Sequence, residues 1–505
     1  MSDALLINGK FPVSTPEAKG IPSDSITDCL MEIKKTGMLV HGFHVIRNGC
    51  LVGGGNAAPY TFDTPKRMFS FMKSVLMLAL LMLKEKGDLD FNDPLLKYFP
   101  EYAGKNSDER INRLTVKDTM CMSAGRDMDV MVIHHYNEFG LTGIPARYRD
   151  KDLSYAEAYK GKSIIEIFLT MPLDHEPGTS YFYDNCIPDV LSDLVKKISG
   201  KNSLDYLKEN LFPYIGIDKY DVVMHGDRPD LSTITFTEAD LCKFALFFLQ
   251  RGSWEGKQLI NADLMDEACA YQVPTKFFAD TELGALTLCP ADEYGYGYQV
   301  WRNSFGGYRL VGAGGQSAII LPEQNLIVEY TACDWLCGVP GKDIDAIVCE
   351  KLFKKLYNHP IAEDPAAYKA MNEAFSNWSI RPEAWVDQNA GTETADAKSY
   401  ALSESYMGFD NVLLDLKSQC ITFTGPSGRA DINYGMNGCF VKNIRGLGHE
   451  ASYYSHIPNV DKQEVYAAGG WLDGDFMLLL QYSADMENIV LRITFNNEAV
   501  VVEEK

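Results

Sequence analysis

A chain of 505 residues with 46% hydrophobic and 23% charged residues has room for roughly two to four domains with ample cores, and reads as an ordinary globular protein. Its formal net charge of −22 argues against partners that reward basic patches, namely nucleic acid and anionic membrane surfaces. Residues 1–10 lack a basic and apolar leader, and no apolar run reaches the roughly 20 residues of a bilayer span, so the expectation is a cytoplasmic protein with no membrane partner.

Residues 1–25, with Pro12, Pro16 and Pro22, read as an irregular lead-in, followed by a helix through Ile26, Leu30, Met31 and Ile33. The segment 42–52 predicts a hairpin turning on Asn48-Gly49. The run Val75-Leu76-Met77-Leu78-Ala79-Leu80-Leu81-Met82-Leu83 lacks proline and glycine until Gly87 and is apolar on every side. It predicts a helix through the middle of a large core. A polar turn over 87–94 and a helix from Leu114, closed by Ser123-Ala124-Gly125, come next. Residues 126–165, rich in Tyr, His and Asp, read as an irregular excursion of the kind that forms lids or substrate walls. Helices are expected near 184–199, 203–211 and 237–251, strands at 294–301, 308–311, 318–321 and 326–331, and a helix near 343–357. A leading hairpin, a block of helices and a trailing meander imply an α+β domain over 1–360 whose sheet unites the first and last strands. Pro360, Pro365 and Pro382 mark a linker over 361–400 with short helical patches. From 401 to 505 the strands 411–416, 420–424, 440–444, 464–470, 476–482 and 489–495 predict a small antiparallel, lipocalin-like barrel or sandwich.

The cysteines and histidines carry little. Twelve cysteines include no Cys-x-x-Cys, the closest pair being Cys333 and Cys337, and fit buried thiols in a reducing compartment. Of nine histidines, His134 and His135 are adjacent, while His41 and His44 are expected on opposite faces of a strand. Without a ligand set such as H-E-x-x-H, neither a metal nor another cofactor is expected.

The chemistry concentrates at the start of the apolar helix. Ser70 and Lys73 are three residues apart and share a face, which sets a hydroxyl beside an amine at the buried end of a rigid rod. A serine becomes nucleophilic when a neighbouring base takes its proton, and burial lowers a lysine toward that role. The helix N-terminus adds backbone N–H groups for an oxyanion. A second motif, Glu176-Pro177-Gly178-Thr179-Ser180-Tyr181-Phe182-Tyr183-Asp184-Asn185, offers Tyr183 to pass a proton and Asn185 to orient both Lys73 and a substrate carbonyl. A third, Gly312-Ala313-Gly314-Gly315-Gln316-Ser317, lies between strand-like runs, where glycines let a ligand approach the backbone closely.

In this order the chain resembles the serine beta-lactamase and penicillin-binding-protein superfamily, in its class C and esterase-like branch. The resemblance extends over roughly residues 14–355 and includes Thr15-Pro16-Glu17-Ala18-Lys19-Gly20-Ile21, Leu89-Asp90-Phe91-Asn92-Asp93-Pro94 with Tyr98-Phe99-Pro100, and Leu211-Phe212-Pro213. It implies a beta-lactamase/transpeptidase-like antiparallel sheet flanked by helices. It further implies Ser70 as the acylated nucleophile, Lys73 and Tyr183 sharing general-base work, and Asn185 positioning. The N–H of Ser70 with that of Gln316 or Gly315, beside Gly314, would make the oxyanion hole. Two positions depart from the family pattern. Ala313 stands where a lysine or histidine is usual, which predicts weak beta-lactamase activity, and Asp184 stands where serine or alanine is usual. A glutamate-bearing loop of the class A type is also missing, which leaves deacylation to Tyr183 and Lys73.

The expected function is that of a serine hydrolase forming an acyl-enzyme on small esters or amides, including D-residue peptides or cyclic amides. The alternatives are a beta-lactamase or penicillin-binding-type hydrolase, and a non-catalytic protein of the same fold that senses a ligand. For the C-terminal region, either a cover over the acyl pocket or self-association into a homo-oligomer is expected.

Overall fold

The computed structural model describes residues 11–139, 153–275, 294–333, 343–387, 397–443, 464–482, 488–496 and 499–504. Helix α1 (Ser23–Lys35), strands β1 (Val40–Arg47), β2 (Cys50–Asn56) and β3 (Pro65–Arg67), and helix α2 (Phe71–Lys86) open the fold. Helices α3 (Val116–Met120), α4 (Val130–Phe139), α5 (Ile164–Thr170), α6 (Ile187–Ser199), α7 (Ser203–Asn210) and α8 (Phe212–Ile215) follow. A small hairpin of β4 (Val223–His225) and β5 (Arg228–Asp230) precedes β6 (Thr235–Thr237) and α9 (Glu238–Leu249). A second, of β7 (Ser253–Trp254) and β8 (Lys257–Gln258), precedes α10 (Ala262–Cys269). Strands β9 (Trp301–Arg302), β10 (Tyr308–Gly312), β11 (Gln316–Leu321) and β12 (Leu326–Ala332) then lead to α11 (Ile344–Lys351) and α12 (Pro365–Ser376).

The first sheet runs β2-β1-β12-β11-β10-β9 and is antiparallel throughout, so the chain's early hairpin and late meander share one sheet, as expected. The β1–β2 turn has φ of 50° at Asn48 and 73° at Gly49, the two left-handed residues that a two-residue hairpin turn demands. Helix α2 is buried at every position from Phe71 to Leu83 and ends at Gly87 (φ 81°), whose N–H returns to the carbonyls of Leu83 and Lys84. Each large apolar side chain so buried stabilises the fold by about 1.5–3 kcal/mol, which holds α2 fast. Its core includes Phe71, Leu80, Phe168, Val190, Phe244 and Leu310. The other face of the sheet, with Phe43, Val45 and Val328, packs against α1, α11 and α12.

Two expectations are corrected. Residues 130–139 form α4 where the polar, His-rich composition reads as irregular, because Val130, Val132 and Ile133 supply a buried anchor. The remainder of that excursion at 140–152 lies outside the described residues. In the segment 294–301 only Trp301 joins a strand. There the alternating aromatics serve a tight turn, with Gln299 at φ 57° and its amide donating to Met120 O at 2.7 Å.

The C-terminal strands β13 (Lys398–Tyr406), β14 (Phe409–Asp415), β15 (Cys420–Gly425), β16 (Gly428–Asn433), β17 (Val441–Asn443), β18 (Val465–Leu472), β19 (Asp475–Tyr482), β20 (Asn488–Asn496) and β21 (Ala499–Glu504) form a nearly closed barrel in the order β16-β15-β14-β13-β21-β20-β19-β18-β17. One pairing, β13 with β21, is parallel rather than antiparallel. At the seam the Asn443 side chain accepts from Asn433 N at 2.9 Å and donates to Asn433 O at 2.8 Å, which satisfies two edge groups without a ladder. Strand β19 is buried on both faces: Phe476, Leu478 and Leu480 fill the barrel, while Met477 and Leu479 join the core of the first sheet beside Trp378 and Trp385. The ten cysteines among the described residues are free thiols.

A buried charged cluster sits between β1, β12, β3 and α9. His44 Nδ1 lies 2.8 Å from Glu329 Oε2 and 3.6 Å from Glu238 Oε2, and Glu238 also accepts from Asn56 and Thr331. Lys66 Nζ lies 3.1 Å from His41 Nδ1 and over the Tyr60 ring. The register of β1 shifts between Val40 and Gly42, and His41 meets this cluster through Lys66 while His44 belongs to it through Glu329 and Glu238. Burial, then the charge of Glu329, pushes Glu238 up to about 7. Between about pH 4.5 and 7 the folded chain therefore holds a proton that the unfolded chain has lost. Stability from this group falls as pH rises through that window, by at most about 1.4 kcal/mol per pH unit. Glu238→Gln is expected to flatten that slope, read as the difference in unfolding free energy between pH 5 and pH 7 relative to the wild type; an unchanged slope would assign the proton elsewhere.

Candidate active site

Helix α2 starts from a turn held on several sides. Met68 N–H donates to Ile234 O at 2.9 Å, and Phe69 takes a φ of 47°, unusual for so bulky a residue. Phe69 is buried against Cys333, Leu39 and Ala313, with the Arg67 guanidinium 4.6 Å from its ring centroid. The turn leaves Ser70 half-buried at the N-cap with its hydroxyl free of any capping bond. Lys73, buried one turn on, donates from Nζ to Ser70 Oγ at 2.8 Å and to Asn185 Oδ1 at 3.1 Å.

Tyr183 and Asn185 arrive on the segment that leads into α6. The Tyr183 ring stacks on Trp301, with centroids 5.6 Å apart and planes 23° apart, and Lys73 Nζ lies 4.8 Å from the Tyr183 centroid. Asn185 Nδ2 donates to Asp129 Oδ2 at 2.8 Å, just before α4. Asp184 turns inward and is buried, so it adds no exposed charge at this mouth. Its Oδ1 accepts from Cys186 N at 2.9 Å and Val130 N at 3.2 Å, and burial with the adjacent Asp129 pushes its carboxyl well above the usual range.

The glycine motif forms the β10–β11 hairpin, in which Gly312 opposes Gln316 and Gly314 and Gly315 take φ of 77° and 96°. A Cβ on Gly312 would lie 2.2 Å from Met68 O, so only glycine lets β10 lie against the turn before Ser70. The Gln316 side chain is buried and its Nε2 donates to Ala332 O at 2.8 Å, which turns that donor toward the sheet. Thus Ser70, Lys73 and Asn185 form one hydrogen-bonded chain beneath Tyr183, and the Gly314–Gly315 turn abuts the same corner through Ala313. Two arginines near this hairpin in sequence are engaged elsewhere: Arg309 pairs with Asp345, and Arg302 donates to Cys269 O at 2.7 Å.

Among the described residues, the group that could hold a metal is His44, Glu238 and Glu329, whose ligand atoms lie within 4.8 Å of one another. That set already bonds internally and has the Lys66 amine, lowered by burial to about 7, as a neighbour. No helix among the described residues is long and apolar enough to cross a membrane. Sequence reasoning missed Asp129 and Trp301. Asp129 lies in a stretch without periodicity, and nothing local ties Trp301 to Tyr183.

The chain is 26% identical over 168 residues to acyltransferase calJ of Penicillium decumbens, which covers 32% of this chain and spans only 39% of that protein's length. Among solved structures it is similar to a family VIII carboxylesterase (14% identity, TM-score 0.48, 68% of this chain and 99% of that one). It is also similar to the octameric penicillin-binding protein homologue from Pyrococcus abyssi (12% identity, TM-score 0.45, 95% of this chain and 98% of that one). The family model described as Beta-lactamase matches residues 25–332, more than half of the sequence, and the chain belongs to that family.

Proposed function

We propose that the chain is a serine hydrolase that acts on small esters or amides through an acyl-enzyme on Ser70. The observation that carries this reading is the 2.8 Å separation of Lys73 Nζ from Ser70 Oγ, with Nζ steadied by Asn185 Oδ1. As a free amine, Lys73 is within reach to take the Ser70 proton while Oγ bonds to the substrate carbonyl carbon. The resulting oxyanion would be held by main-chain N–H groups of Ser70 and of Gln316 or Gly315, with Gly314 leaving room for it. The Lys73 proton then passes to the departing alcohol or amine as its bond to carbon breaks. Tyr183, over Lys73, would relay that proton and later take one from the water that attacks the ester on Ser70 as its own proton passes to the Lys73 amine. Release of the acid returns a proton to Oγ. The relative named an acyltransferase supports one variation, in which an alcohol replaces water as the acceptor.

A beta-lactamase reading is weaker, because Ala313 offers no cation to a beta-lactam carboxylate and Arg302 and Arg309 already have partners. The reading of residues 1–360 as the hydrolase unit, with the barrel at 401–505 trimming the range of acyl groups, belongs to the same proposal.

Ser70→Ala is expected to abolish turnover of a nitrophenyl acetate with the fold unchanged by circular dichroism. A fluorophosphonate should add to the peptide containing Ser70 by mass spectrometry. An adduct elsewhere, or none, would return the chain to the ligand-sensing alternative. Lys73→Arg keeps the charge but provides no free amine at neutral pH, so it should leave less than about a hundredth of the rate; an active variant would move the base to another group. Penicillins and cephalosporins should be turned over slowly, since a missing charge-assisted hydrogen bond of about 1.5–3 kcal/mol means roughly ten- to hundredfold in binding. Rapid hydrolysis in a spectrophotometric assay would show that another cation serves.

A further inference from the structure

Asn185 presents its oxygen to Lys73 and its nitrogen to Asp129, and this choice of orientation needs a cause. Turned over, the amide would set its NH2 against the lysine amine and its oxygen against a carboxylate. Asp129 prevents this by accepting from Asn185 Nδ2 at 2.8 Å, and its other oxygen is held by Met131 N–H at 3.0 Å, so the carboxylate cannot rotate away. Behind Asp129 lies Asp184. One oxygen of Asp184 is satisfied by the N–H groups of Val130 and Cys186, while Oδ2 is buried and receives no donor from the protein. A carboxylate oxygen without a donor, beside a second carboxylate, is strongly unfavourable away from water. A proton on Asp184 Oδ2, donated to Asp129, removes both the bare oxygen and the repulsion.

We propose that Asp129 and Asp184 share one proton and act as a positioning pair, which locks the Asn185 amide with its oxygen toward Lys73. This rests on the reading of Ser70 and Lys73 as nucleophile and base. Burial and the Asp129 charge, which hold the Asp184 carboxyl well above the usual range, agree with a proton retained at neutral pH. The other groups facing Asp184 are the Cys186 thiol at the start of α6 and the buried Arg126, whose Nη2 is held by Met171 O at 3.1 Å and by Phe168 O. When the shared proton is lost as pH rises, two adjacent buried anions repel, Asp129 shifts, and Asn185 is freed to turn. The pair thus adds an alkaline loss of activity that disappears when Asp184 can no longer ionise.

The test uses the full chain and a nitrophenyl ester. The infrared difference spectrum of the wild type minus Asp184→Asn at pH 7 should show the carbonyl band of a buried, protonated carboxylic acid, with the contribution of Glu238 and Glu329 cancelled. Asp129→Ala should lower kcat by about ten- to hundredfold with little change in KM, since the amide it frees acts on the base. Asp184→Asn, whose amide N–H replaces the carboxyl O–H, should keep kcat within about threefold of the wild type and lose the alkaline decline. Absence of the band, a wild-type kcat in Asp129→Ala, or an alkaline decline preserved in Asp184→Asn would each overturn the pair. If Asp129→Ala does not fold, the band and the Asp184→Asn profile still decide. Fluorophosphonate labelling of the wild type separates the two levels: no adduct on Ser70 sinks the functional reading, whereas an adduct with no acid band sinks the positioning pair alone.

Discussion

The site depends on a helix that has no exposed side from Phe71 to Leu83. A rod buried on all faces cannot rock or rotate without opening cavities, and each lost contact would cost part of the core's packing energy. That rigidity keeps Ser70 and Lys73 one turn apart in a fixed relation, so their 2.8 Å contact is a property of the core rather than of two mobile side chains. The strained turn at Phe69, wedged against Cys333 and Ala313, is tolerable for the same reason: surrounding structure over-determines it.

Sinking polar chemistry into such a core has a consequence throughout the elements around the first sheet. Charged groups buried in such a core are costly unless they find partners within the protein. The His44–Glu329–Glu238 cluster with Lys66 lies on β1, β12, β3 and α9, and β3 leads directly into the turn that carries Ser70. Arg309 with Asp345 and Asp129 with Asp184 and Asn185 do the same at other seams of the fold. Each network joins elements far apart in sequence, and each fixes one arrangement where a purely apolar contact would allow several.

The barrel is tied to the core of the first sheet by the same alternation that builds it. On β19 the even residues Phe476, Leu478 and Leu480 face inward, and Met477 and Leu479 face the core between the sheet and α12. A strand apolar on both faces reads from sequence as a buried strand; which neighbour each face meets is not written in the alternation itself.

Much of the fold was written in local chemistry. Asn48-Gly49 determined the first hairpin, the unbroken apolar run with Gly87 behind it determined α2, and the three-residue spacing of Ser70 and Lys73 put them on one face, since helix geometry depends only on neighbours in sequence. What the sequence could not decide were contacts made by residues brought together from distant parts of the chain. Asp129 reaches Asn185 across 56 positions, Gly312 lies against Met68, Trp301 stacks on Tyr183, and His41 meets Lys66 beside the cluster that holds His44. Periodicity carries no information about such pairings, because it records which side of an element is apolar and not which element will cover it. Those were settled only when the α2 core closed and the first and last strands met in a single sheet.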